Sequence, residues 1–271
     1  MRQPELDGLR ALAISMVLIW HYLGVPLGGQ SSVAPVLIFG RTGVDLFFVL
    51  SGFLITRILL ETRAQPGYFA VFYMRRALRI LPPYLMLLAV YFIGLRLAPS
   101  HELFSGSVPP ASYAIFLQNY AMAWLGTYGA SLMAPTWSLA VEEQFYLLFP
   151  LLIWFTPTRR LPPIMYLLIV SAPIIRLATY AYSGNDWSAY VWMPARTDAL
   201  AVGALIAMAW MQNRLAGIDA RNVGYAFALL AFCIVIGPAT GSAVVLGHSA
   251  LAFLSGSTRQ CWCSQHLRCL H

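Results

Sequence analysis

Lysine is missing from this chain: its 17 basic side chains are all arginine, and Asp and Glu together number only 10. Charged residues make up 10% of the 271, where an average soluble domain carries roughly 25%. So little charge excludes intrinsic disorder, collagen and a charged coiled coil, and leaves a soluble globular fold without the polar cover its surface needs. Cysteine is scarce as well. Cys233 lies in an apolar run, while Cys261, Cys263 and Cys269 crowd the last eleven residues, an arrangement that excludes a disulfide framework. With His266 and His271 they still lack the paired C-x-x-C spacing of zinc ligands, so no metal site is expected. What the chain has in abundance is apolar surface, with 59% hydrophobic residues and a mean hydropathy of +0.69. The class these numbers leave is an all-α, polytopic transmembrane helical bundle, with the lipid bilayer as its first partner.

The formal charge of +7 and a pI near 9.4 would suggest nucleic acid in a soluble protein. Here the arginines sit at the ends of apolar runs, where basic residues set membrane orientation, and no nucleic-acid partner is expected. The N-terminus does not read as a cleaved signal peptide. Glu5 and Asp7 occupy the place of a basic n-region, and no small-residue cleavage site follows His21, so the first helix is expected to persist.

A spanning helix needs about 20 mostly apolar residues. Residues 9–29, 43–60, 81–98, 138–156, 161–180, 194–212 and 223–240 qualify, and 243–256 is a shorter eighth, giving about seven or eight spans. Residues 110–126 are apolar but carry Pro109, Pro110, Gln118 and Asn119, which predicts a re-entrant or interfacial segment. With that segment not crossing and the N-terminus in the cytoplasm, 13 of the 17 arginines fall on the cytoplasmic side, as the positive-inside rule demands. The segment 57–80, rich in arginine, reads as a cytoplasmic loop that Pro82 and Pro83 close before the next helix.

Seven ionisable residues fall inside the apolar runs: His21, Asp45, Glu142, Glu143, Arg176, Arg196 and Asp198. Each charge costs about 2.5–3.5 kcal/mol at mid-membrane, so the set would approach ~20 kcal/mol against a usual net stability of about 5–15 kcal/mol. They must pair, line a wet cavity or sit near an interface. For Arg196 with Asp198, a structural pair is as good a reading as a functional one. Arg10 and His21, eleven residues apart, share one helix face about 16 Å apart along the axis. Asp45 is twelve residues from Arg57 and is expected at nearly the depth of His21, where a carboxylate would orient an imidazole. Glu143 is expected further towards the outside. Arg76 and Arg79 lie one helical turn apart and suit a bidentate grip on phosphate. This gradient fits an anionic donor entering from the cytoplasm and a hydroxyl acceptor arriving from the other side.

Several blocks resemble the membrane-bound acyltransferase-3 family. They are Pro4-Glu5-Leu6-Asp7-Gly8-Leu9-Arg10 leading to His21, Gly43-Val44-Asp45-Leu46-Phe47-Phe48-Val49-Leu50-Ser51-Gly52-Phe53, and Arg76-Ala77-Leu78-Arg79-Ile80-Leu81-Pro82. Trp137-Ser138-Leu139-Ala140-Val141-Glu142-Glu143-Gln144-Phe145-Tyr146 and Arg196-Thr197-Asp198-Ala199-Leu200-Ala201-Val202-Gly203 complete the series in family order. The resemblance implies O-acylation, most often O-acetylation, of a carbohydrate or similar hydroxyl compound outside the cytoplasm, at a bacterial inner (plasma) membrane. It implies acyl-CoA (acetyl-CoA) as co-substrate and no permanently bound cofactor. The family's R-x10-H pair falls on Arg10 and His21 and its R-x-x-R pair on Arg76 and Arg79, with the arginines expected on coenzyme A phosphates. His21 is then the general base, Asp45 its orienting group and Glu143 a third catalytic candidate. Trp137, Glu142, Tyr146, Arg196 and Asp198 are candidates for the acceptor site, with an interfacial anchor as the ordinary alternative for Trp137.

Members of this family usually have ten helices, so the domain 1–256 is expected to be incomplete and 257–271 an atypical polar, cysteine-bearing tail left by truncation or frameshift. A transporter or flippase for a sugar-lipid or small anion is the rival expectation, since it too places charges at midplane; no internal repeat between the halves supports it. An inactive truncated remnant is the third.

Overall fold

The structure, a computed structural model, describes residues 4–24, 40, 42–184 and 186–212. Among them the only regular structure is helical, as an apolar chain requires when its backbone groups must bond within their own segment. In chain order the helices are α1 (Pro4–Ile19), α2 (Thr42–Thr62), α3 (Tyr68–Leu97), α4 (Pro110–Ala114), α5 (Gln118–Leu125), α6 (Thr136–Phe155), α7 (Leu161–Ser183), α8 (Asp186–Val191) and α9 (Thr197–Met211). A π-helical turn, Trp20–Gly24, extends α1, and 3-10 turns occupy Thr158–Arg160 and Met193–Arg196. Left-handed glycines end two helices, Gly126 after α5 (φ 66°) and Gly184 after α7 (φ 61°), a conformation with no steric cost for glycine.

Five segments are long and apolar enough to cross a membrane: Leu6–Leu23, Thr42–Thr62, Tyr68–Leu97, Thr136–Phe155 and Thr158–Ser183. The chain is a multi-pass membrane protein. The span expected at 194–212 resolves into the 3-10 turn, with Pro194 near its start, followed by 15-residue α9. At 1.5 Å per residue that helix is about 22 Å long, short of the ~30 Å hydrocarbon layer. The expected spans at 223–240 and 243–256, and the tail 257–271, lie outside the described residues. Residues 110–126 form two short helices, α4 and α5, rather than one span.

One expectation needs correction. The segment 57–80 is not a loop: α2 continues to Thr62, and α3 begins at Tyr68 and runs for 30 residues through Pro82 and Pro83. Proline lacks an N–H, so the carbonyls of Leu78 and Arg79 lose their helical donors. Within an apolar helix held by neighbours such a gap is tolerated, and the Pro-Pro pair is a feature of the helix rather than its border.

The described residues divide between two compact units, one holding the chain up to Leu50 with Gln212 and the other holding Ser51–Met211. In the first, Gly40 lies against Met16 and Trp20, and Gly43 against Ala13, Met16 and Val17. As one sequence rises the other falls, so α1 and the start of α2 run antiparallel with their backbones in close approach. In the second, α3 is bonded to α6. Tyr68 of α3 donates to Pro150 O at 3.2 Å and Tyr73 donates to Leu147 O at 2.8 Å. Gly52 of α2 packs on the Leu200 main chain of α9 with no room for a Cβ.

Candidate active site

His21 is the first residue to examine because its ring chemistry is fixed by one contact. The π turn carries the imidazole out of the α1 ladder and leaves it exposed. Its Nδ1 lies 2.8 Å from the carbonyl oxygen of Val17. A carbonyl only accepts, so Nδ1 is the donor in this contact, and in a neutral ring Nε2 would hold the lone pair. Eleven residues at 100° each bring His21 to within about 20° of the face that holds Arg10, and the slightly slower rotation of a π turn leaves that sharing intact. Arg10 itself reaches Asp7, one turn back, at 3.6 Å in a partly exposed ion pair, a weak attachment that leaves its guanidinium available.

Asp45 stands differently from the sequence expectation. The group that orients the His21 ring at Nδ1 is a main-chain carbonyl of the same helix. Gly43 faces α1, and Asp45, two positions later, leaves α2 about 200° further round, on the side away from that crossing. The antiparallel register also puts Asp45 nearer the level of Ala13 than that of His21.

The second cluster is built on α6. Glu142 and Tyr146, one turn apart, meet Ser51 of α2: Ser51 Oγ donates to Glu142 Oε1 at 2.9 Å and Tyr146 OH donates to Oε2 at 2.9 Å. Both carboxylate oxygens are thus occupied by hydroxyls. Arg76 from α3 lies over the Tyr146 ring, 4.9 Å from its centroid, and over Phe72 at 5.9 Å. The charges of Glu142, Glu143 and Arg79 all act on its guanidinium. Glu143 has Oε1 buried with no hydrogen-bond partner, a carboxyl oxygen poised to take a hydroxyl. Arg76 and Arg79 lie one turn apart on α3, Arg76 half-buried over the Tyr146 ring and Arg79 exposed. Together they form a graded positive entry to the carboxylates.

The third cluster joins α7, α8 and α9. Arg176 donates to Asp198 Oδ2 at 2.8 Å and to Ala195 O at 2.6 Å, so Asp198 is paired with the preceding helix. Buried Arg196 lies over the rings of Tyr190 (5.1 Å) and Trp137 (5.9 Å). Trp137 is itself buried, with its ring 4.8 Å from that of Tyr190. An interfacial anchor would be half in water, and Trp137 is inside.

Sequence reasoning passed over Ser51, Arg176 as the partner of Asp198, and the amides beside the carboxylates. Gln144 donates to Asn119 Oδ1 and to Phe116 O, each at 2.8 Å, while Gln118 donates to Thr136 O at 3.0 Å. Phe116 holds a left-handed φ of 56° between α4 and α5, a strained conformation for an aromatic residue that the Gln144 bond and stacking on Tyr84 at 4.5 Å support. The polar character of Gln118 and Asn119 was the available signal, and it pointed to a non-crossing segment without naming its partners.

Comparison with known proteins fits this picture. The model of the acyltransferase-3 family, an acyltransferase domain, matches residues 3–267. YrhL of Bacillus subtilis (strain 168), named as a peptidoglycan O-acetyltransferase, is 29% identical over 86% of this chain and 38% of its own length. The O-acetyltransferase OatA of Staphylococcus aureus (strain NCTC 8325 / PS 47) is 34% identical over 76% of this chain and 34% of its own. The chain therefore spans little more than a third of the length of these relatives. No solved structure matches it. With the family model covering nearly the whole sequence, the chain belongs to the acyltransferase-3 family.

Proposed function

We propose that the chain is an integral-membrane O-acyltransferase that moves an acyl group, acetyl first of all, from acyl-CoA on the cytoplasmic side to a hydroxyl of a cell-surface carbohydrate. The observation that carries the reading is the 2.8 Å bond between His21 Nδ1 and Val17 O. In a neutral ring that contact puts the proton on Nδ1, which supports a general-base role in which Nε2 takes the proton of an attacking hydroxyl. Asp45 is the carboxylate that supports the imidazole during the transfer. Arg10, Arg76 and Arg79 hold the phosphates of coenzyme A, for which forked guanidiniums are well shaped. Glu143, Glu142, Tyr146, Trp137, Arg196 and Asp198 form the acceptor side.

The names of the relatives make acetyl the acyl group and a wall glycan the acceptor to try first. The arginine distribution favours a bacterial inner membrane with the N-terminus in the cytoplasm. The test is acetyl-CoA turnover by the purified full chain in detergent with a chitooligosaccharide acceptor. His21→Ala is expected to lower transfer about 100-fold or more with the detergent-solubilised protein still folded. Full transfer by that variant would remove His21 from the chemistry.

A further inference from the structure

The Ser51–Glu142–Tyr146 arrangement has the form of an activated nucleophile: a hydroxyl bonded to a base whose other oxygen is held by a third group. Hydroxyls elsewhere in these helices behave otherwise. Ser15, Thr56, Thr62 and Thr179 each donate back one turn to a carbonyl of their own helix, and Tyr68, Tyr73 and Tyr84 donate to main-chain carbonyls. Ser51 and Tyr146 instead converge on one carboxylate from two helices. Tyr146 holds Oε2 so that Oε1 faces Ser51, and the Arg76 guanidinium beside Tyr146 supplies positive charge where an oxyanion would form. Ser51 and Tyr146 are buried, which keeps water from an ester formed there. Exposed Arg79 and half-buried Arg76 lead towards them from the surface.

The geometry points to Ser51 as a covalent way-station for the acyl group, formed by attack on an acyl thioester and discharged to the acceptor hydroxyl. This rests on the acyl-CoA reading above. In the first step the Ser51 Oγ–H proton passes to Glu142, Oγ bonds to the thioester carbonyl carbon, and the C–S bond breaks with the thiolate leaving. In the second step the acceptor oxygen bonds to the same carbonyl carbon and its proton is lost to solvent. The bond to Oγ then breaks and Glu142 returns its proton to Ser51. No electron is gained or lost overall.

The full chain, purified in detergent and incubated with acetyl-labelled acetyl-CoA without acceptor, is acid-quenched, digested and analysed by mass spectrometry. The expected result is one acetyl group on Ser51, released by hydroxylamine and discharged when a chitooligosaccharide is added. Glu142→Gln keeps the shape of the site but removes the base, and is expected to lower both labelling and transfer about 100-fold; Ser51→Ala, which has no hydroxyl, is expected to abolish labelling and to lower transfer to a similar extent. Ser51→Cys is expected to label as a thioester. Tyr146→Phe slows acylation of Ser51 in single-turnover measurements while leaving its discharge unchanged, a split that general loosening would not give. Transfer at the wild-type rate in Ser51→Ala, or an acetyl group on another residue with none on Ser51, overturns the step alone. Absence of acetyl-CoA turnover by the wild type overturns the donor reading and this step with it.

Discussion

Both terminal nitrogens of the Arg176 guanidinium are engaged inside the bundle, one by Ala195 O and one by Asp198. Removing one member of such a buried pair strands the other charge, at a cost of about 3–5 kcal/mol, whereas replacing both with apolar side chains is often neutral. Arg176→Met is therefore expected to lower the thermal midpoint in detergent markedly, and Arg176→Met with Asp198→Leu to recover most of the loss. A double variant as unstable as the single one would show that the pair does not act as a unit. The sequence offered Arg196 as the neighbour of Asp198, and helix geometry argues against it. Residues two apart project about 200° apart, so a partner had to come from another helix, and only the fold brings Arg176 there. His21 and Glu143 were legible as buried or intramembrane titratable groups. The tautomer of His21 was not, because it depends on a π turn that no composition reveals.

At the scale of the helix, two glycines separate packing from propensity. Gly52 of α2 meets the Leu200 main chain, so a methyl group there must push α2 and α9 apart. Gly8 of α1 has nothing within 4 Å of where a Cβ would lie. Gly52→Ala should reduce the yield and thermal stability of solubilised protein, while Gly8→Ala should leave them unchanged or raise stability by up to ~1 kcal/mol through helix propensity. Equal tolerance at both positions would contradict the close α2–α9 approach. Most long helices were readable from apolar run length alone. Pro82 and Pro83 misled, since proline ends a helix in water yet passes within one whose gaps are covered by neighbours. The 110–126 segment was read as non-crossing from Gln118 and Asn119, and the structure adds that both are fully buried and bonded to Tyr84, Thr136, Gln144 and Val191.

At the scale of the molecule, the described residues leave an apolar stripe exposed along α3. Leu78, the adjacent Leu85 and Met86, and Ile93, at seven- to eight-residue intervals down one side of the helix, are 57–72% exposed. In water such a stripe would aggregate; against lipid tails it is the ordinary surface of a spanning helix. In a background lacking the native cysteines, single cysteines at these four positions should resist a membrane-impermeant maleimide and be quenched by nitroxide-bearing lipid. In inside-out vesicles, a cysteine at Thr158, in the turn before α7, should react readily with the same reagent. Rapid labelling along the α3 stripe would mean that this helix does not face the bilayer. The family was legible because its motifs lie in sequence order, while the convergence of Ser51, Glu142 and Arg76 came only from folding, since they sit on three separate helices.

The 30 residues of α3 amount to about 45 Å of helix against a hydrocarbon layer of about 30 Å. The surplus has to be absorbed by tilt, by projection past the headgroups or by local thickening of the lipid. Arg75, Arg76 and Arg79 all lie within its first dozen residues. Membrane thickness thus acts as a setting on this protein: lengthening or shortening the surrounding acyl chains shifts how deeply that arginine end is immersed, without altering a single residue.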